Sequence, residues 1–154
     1  MEQKLSLHEF ILHAKTATYV GRGQKLLPYR LGSHDLQYFE GDWAYHDSYL
    51  GENDFIGEEA VYFLNKIVWA MNYFGRILNS DQITSAKAGE IIQQSLTRMY
   101  AEGRFLGNFT FSSGDFVYQD TNEGSLEFFT GKEWITRNGL IVYDLVYHGG
   151  LIKS

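Results

Sequence analysis

Glu59 and Glu133 are the residues of this sequence whose type and position most invite chemistry. Strand-like alternation places each on the same face as an apolar neighbour, Val61 or Ile135, where a carboxylate must be hydrogen-bonded or paired with a charge. Carboxylates in such surroundings serve as general bases or as counter-charges to a cationic ligand. Trp43, Tyr45 and Tyr118 are the aromatic residues that would share a cleft with them, and His34 and His148 are the imidazoles available to a general-base mechanism. Arg30 and Arg76, like Arg22 and Arg104, stand near glycines in or beside loops, where a guanidinium can meet an anionic group. The plainer account of the same residues is cross-strand ion pairs, strand ends exposed to water and a soluble surface.

Other combinations fail on geometry. His34-Asp35 and His46-Asp47 pair metal-binding residue types, but neighbours on a strand point to opposite faces, so no metal site and no cofactor are expected. Ser33-His34-Asp35 spells a hydrolase triad in consecutive letters, whereas a triad needs three side chains converging from separate elements. Gly21-Arg22-Gly23 follows a helix instead of opening one, which suits a turn better than a phosphate cradle.

The elements that must position these residues alternate between helix and strands. Leu5 to about Lys15 reads as a helix, with Ser6 and Glu9 as a capping box. Residues 16–34 lack a period and read as a long loop, with room for a short strand and for a binding element. One strand is expected over Leu36–Tyr49 with a bulge at Gly41, then strands over Phe55–Leu64 and Lys66–Phe74. A second helix spans about Asp81–Ala101, followed by strands at Phe116–Thr121, Leu126–Thr130, Lys132–Ile135 and Leu140–His148, with Asn138-Gly139 as a hairpin turn.

The two stretches repeat one another. Gly41, Asp42, Tyr45, Asp47, Gly51 and Phe55 recur 73 positions later as Gly114, Asp115, Tyr118, Asp120, Gly124 and Phe128. Gly57, Glu59, Val68, Tyr73 and Gly75 recur 74 positions later as Gly131, Glu133, Val142, Tyr147 and Gly149. A weaker match joins the helices at 81 positions, pairing Glu9, Ile11, Thr16 and Tyr19 with Glu90, Ile92, Thr97 and Tyr100. The expected fold is therefore α+β: one domain over 1–154, internally duplicated at about 5–75 and 81–150. Two helix-plus-three-strand units would form an antiparallel sheet with pseudo-twofold symmetry and both helices on one sheet face. Turn and core roles account for most of the repeated residues.

Composition narrows the function classes. With 44% apolar and 16% aromatic residues the chain can bury a sizeable core. A net charge of -6 with scattered basic residues gives no footprint for nucleic acid. The absence of cysteine removes disulfides and thiol chemistry. No apolar run is long enough for a membrane helix, and Met1-Glu2-Gln3-Lys4 lacks the character of a secretory signal, so a cytoplasmic location is expected.

The run Leu31-Gly32-Ser33-His34-Asp35-Leu36 with Tyr38, Glu40, Gly41 and Asp42, followed by Phe55-Ile56-Gly57-Glu58-Glu59, resembles an uncharacterised bacterial family, a domain of unknown function. Trp69-Ala70-Met71-Asn72-Tyr73 with Gly75-Arg76, and Tyr147-His148-Gly149-Gly150, are similar to further blocks of it. The resemblance implies kinship with domains sometimes fused behind helix-turn-helix regulators, with no DNA-reading part expected in this chain. A looser similarity of architecture links it to effector-binding domains of regulators. Three functions follow as expectations. The first is a domain that binds or senses a small, partly aromatic or cationic ligand in a cleft between the repeats. The second is a small hydrolase or isomerase with Glu59 or Glu133 as general base. The third is a protein-interaction module or homodimer.

Overall fold

A computed structural model describes residues 4–19 and 24–154 of the chain. Helix α1 (Leu7–Tyr19) opens with the expected capping box: Ser6 N donates to Glu9 Oε2 at 2.8 Å and Glu9 N donates to Ser6 Oγ at 3.2 Å. Helix α2 (Ser85–Ala101) starts at Thr84, whose hydroxyl accepts from Lys87 N at 3.1 Å. The strands are β1 (Gln24–Lys25), β2 (His34–Glu40), β3 (Trp43–Gly51), β4 (Asp54–Phe63), β5 (Lys66–Ile77), β6 (Phe109–Ser113), β7 (Phe116–Ser125), β8 (Phe128–Arg137) and β9 (Leu140–Leu151). Neither described helix is long and apolar enough to cross a membrane.

The expected pair of helix-plus-three-strand units does not form. All nine described strands join one antiparallel sheet in the order β1-β2-β3-β4-β5-β9-β8-β7-β6, in which β5 and β9 are hydrogen-bonded neighbours along nine residue pairs. The strand count failed at two glycines. Gly41, expected as a bulge, and Gly114, its repeat, both have positive φ (58° and 61°) and occupy the first position of two-residue hairpin turns. Gly41 therefore splits the expected Leu36–Tyr49 strand into β2 and β3, and Gly114 closes β6 onto β7, a strand that had not been anticipated. Conversely, the two short strands expected at Leu126–Thr130 and Lys132–Ile135 are the single β8. The Asn138-Gly139 turn does form, with both residues at positive φ.

Of the expected loop at residues 16–34, α1 takes the start, β1 pairs with β2, and residues 26–33 lead into β2. Gly21-Arg22-Gly23 lies outside the described residues.

Alternation divides the sheet into two faces. The inner one carries Tyr45, Asp47, Glu59, Val61, Met71, Tyr73, Tyr118, Asp120, Glu133, Ile135, Leu145 and Tyr147, all buried. Helix α1 packs against β2 and β3, α2 packs against β6 and β7, and the helices touch each other. They thus rest on the flanks of the sheet and leave space above its central strands. Across the outer face an exposed cross-strand row runs through Ile56, Phe74 and Val146.

Candidate functional site

The space between the helices and the central strands is a cavity of about 900 Å³. Its lining runs from buried Glu59 and Glu133 to exposed Glu52 and Glu90, so it opens to solvent. Four carboxyl groups reach it from the sheet. Asp47 and Glu59 are direct cross-strand partners on β3 and β4, and Asp120 and Glu133 hold the same relation on β7 and β8.

Each glutamate is held by side chains around it. Lys15, from α1, donates to both oxygens of Glu59 at 2.9 and 3.0 Å, and Tyr45 donates to Oε1 from below. Glu133 accepts from Tyr118, and from Tyr143 at 2.8 Å. Burial pushes Glu133 above the usual carboxylate range, against the opposing pull of the two phenols and of Lys15.

The aspartates are treated differently. Tyr73 donates to Asp47 Oδ1 at 2.6 Å and Tyr147 to Asp120 Oδ1 at 2.7 Å. Each tyrosine crosses the strand beside its own to reach its aspartate. A Cβ on Gly57 would lie 2.4 Å from the Tyr73 hydroxyl, and one on Gly131 would lie 2.4 Å from that of Tyr147. The repeated glycines are thus the floor on which the phenols lie. No hydrogen bond reaches Oδ2 of either aspartate among the described residues, and the one sealed polar side-chain atom without a partner there is Trp69 Nε1. These second oxygens therefore face the cavity. Burial, reinforced by the Glu59 charge, raises Asp47 to about 7, and burial with the Glu133 charge does the same to Asp120.

Of the residues singled out in the sequence, Glu59 and Glu133 line the cavity, Tyr45 and Tyr118 support them from beneath, and His34 lies at the mouth, stacked on Tyr49. Trp43 is elsewhere, packed between Phe10 and Phe63. Arg30, Arg76 and His148 belong to the opposite face. Arg30 donates to Ser48 Oγ at 2.9 Å, Arg76 forms a bidentate pair with Asp144, and His148 is exposed beside Asn72.

Sequence reasoning missed Lys15, Asp47, Asp120, Tyr73, Tyr143 and Tyr147 as site residues. The signal was present for three of them, because Asp47 alternates onto the face of Tyr45 as Asp120 does onto that of Tyr118, and Lys15 follows Ile11 by one helical turn.

Fold and site together define a class: an α+β domain whose antiparallel sheet and two helices enclose a tyrosine- and carboxylate-lined cavity. The chain belongs to the family described as a domain of unknown function (DUF5680), whose model matches residues 47–152. That span takes in all four carboxylates and leaves Lys15 outside. No curated protein and no solved structure matches the chain.

Proposed function

We propose that this domain binds a small organic cation in the cavity between its helices and sheet. The observation that carries the reading is the pair of aspartates, 5% and 4% exposed, each with an oxygen facing the cavity to which no described residue donates. Four carboxyl groups from the sheet, with Glu52 and Glu90 at the mouth, stand against the ammonium of Lys15, the only one among the described lining residues and already bonded to Glu59. An ammonium ligand would supply the charge and the donors that Asp47 and Asp120 lack, while Tyr100, Phe105 and Phe129 offer ring surface beside it. The sensing form of this role, in a bacterial regulator carrying a DNA-reading domain, rests on the sequence resemblance and would use the same cavity.

Benzylamine, benzyl alcohol and benzoate separate the possibilities in a thermal-shift experiment. The amine is expected to raise the melting temperature, by more at pH 8 than at pH 5 because it binds the ionised aspartates. Equal stabilisation by the alcohol or the carboxylate refutes the reading.

A second reading, a hydrolase or isomerase, draws on carboxyl groups poised near 7, where general acid–base catalysis is most effective. In it Asp47 or Asp120 replaces Glu59 as the expected base, since Glu59 is occupied by Lys15 and Tyr45.

A further inference from the structure

The carboxylates facing the cavity fall into two separate seats. Asp47 and Tyr73 form one on β3 and β5, and Asp120 and Tyr147 form the other on β7 and β9. Tyr73 and Tyr147 are direct cross-strand partners on the central pair of strands, and each reaches outward to an aspartate on its own side of the sheet. Strands β4, β5, β9 and β8 separate the two aspartates. Five strand spacings and a four-residue offset in register make roughly 27 Å along the sheet surface. The direct path across the cavity is shorter, because α1 on β2 and β3 touches α2 on β6 and β7, which curls the two flanks of the sheet toward each other.

The surface between the seats is different in kind. Met71, Leu96, Leu145 and Phe129 line it, Glu59 and Glu133 there already accept from Lys15, Tyr45, Tyr118 and Tyr143, and among the described residues of the lining Lys15 holds the one ammonium. A cation centred there would meet apolar groups and the Lys15 charge, whereas charges at the two ends would meet the open oxygens of Asp47 and Asp120. Glu52 and Glu90 at the mouth add negative potential that attracts cations.

We infer that the ligand is a linear dication, an aliphatic diamine or polyamine whose terminal ammonium groups occupy the Asp47–Tyr73 and Asp120–Tyr147 seats while its spacer crosses the apolar middle. This deepens the organic-cation reading and rests on it. Each terminal ammonium donates to an Oδ2 that no described residue serves, and two linked ends gain the effective concentration of a bivalent ligand.

Calorimetric titration of the whole chain at pH 8 with α,ω-diamines of four to sixteen carbons, each beside the monoamine of equal length, tests the inference without any variant. At least one diamine is expected to bind tenfold or more tightly than its monoamine. Asp47→Asn and Asp120→Asn should each reduce that diamine to the affinity of the monoamine. Monoamines that match the diamines throughout the series, or a preference that survives either substitution, overturn the two-seat inference and leave the organic-cation reading standing. If benzylamine and every aliphatic amine fail to bind, both fall together.

Discussion

Asp35 on the outer face and Asp47 and Asp120 on the inner face are buried almost equally, at 1%, 5% and 4% exposure, yet their carboxyl groups move in opposite directions. Burial raises all three. At Asp35 that rise is outweighed by Ser33, Ser48, the Tyr29 N–H and His46, and its pKa falls to about 2. Ser33 Oγ donates to Oδ2 at 2.5 Å, Tyr29 N donates to Oδ2 at 3.2 Å, and His46 Nε2 lies 2.9 Å from Oδ1. At Asp47 and Asp120 one phenol serves one oxygen, the cross-strand neighbour is another carboxylate, and the value rises to about 7. Depth is thus no guide to the role of a buried acid; the donors supplied by the chain decide it. Asp35 is saturated and pins the segment before β2 to the sheet, whereas Asp47 and Asp120 hold capacity in reserve.

The largest expected effect of this contrast is on the pH profile of stability. A carboxyl whose pKa is raised on folding contributes stability that is complete below its unfolded value, 3.8, and is lost as pH climbs through the folded value. For two groups near 7 the loss between pH 5 and pH 7 is on the order of 5 kcal/mol. Asp35 has the opposite sign: its contribution is present above 3.8 and disappears as pH falls through about 2, so it stays constant over that interval. The urea midpoint is therefore expected to fall from pH 5 to pH 8, and the Asp47→Asn/Asp120→Asn double variant should flatten the fall. A midpoint that rises over the same range in the unaltered protein would break the comparison at its root.

The inner face contains a further asymmetry that the repeat alone could not reveal. Extending the helix match by its own displacement places Leu96 where Lys15 stands, and the strand match places Tyr143 where Trp69 stands. One glutamate therefore rests in an ion pair and the other between two phenols. Much of this was legible in the sequence. Glu59 and Glu133 stood out as carboxylates among apolar residues, the capping box at Ser6 and the Asn138-Gly139 turn were correctly read, and of the repeated residues Tyr73 and Tyr147 lie over Gly57 and Gly131 beside the cavity. The antiparallel sheet with its two helices was legible but its strand count and order were not, because a glycine with an aspartate after it reads equally as a bulge or as a tight hairpin, and only pairing partners distant in the chain decide between them. Asp47 and Asp120 were passed over for a related reason. Asp47 reads beside His46 as half of a failed metal pair and Asp120 only as its repeat, and it is the register of β3 and β7 against their partners that turns both toward the cavity.

Replacing Asp35 with Asn has the next largest effect. An amide offers a single acceptor oxygen, so the donors converging from Ser33 and Tyr29 on one side and the His46 ring on the other cannot all be served. The NH2 group must also face whichever donor it displaces. Losing charge-assisted hydrogen bonds at a buried site costs about 3 kcal/mol. Urea unfolding at pH 7 measures it. A change under about 1 kcal/mol would show that the Asp35 network is dispensable and that its low pKa reflects little stabilisation.

The same exchange at Asp47 is expected to do almost nothing at pH 5, and for that reason it sharpens the comparison most. At pH 5 the Asp47 carboxyl is already protonated and matches the amide in shape and charge. The amide oxygen can accept from Tyr73 as Oδ1 does, and the NH2 group takes the place of Oδ2, which no donor among the described residues reaches, so none of them need be displaced. Asp47→Asn should shift stability by less than about 0.5 kcal/mol at pH 5 and should stabilise the protein at pH 8, where the unaltered residue must carry a buried charge beside Glu59. Paired measurements of Asp35→Asn and Asp47→Asn at both pH values thus separate a carboxylate that the fold needs from one that the fold tolerates. A loss at Asp47 as large as that at Asp35 would mean that both are structural, and the cavity would lose the residue that most directly invites a cation.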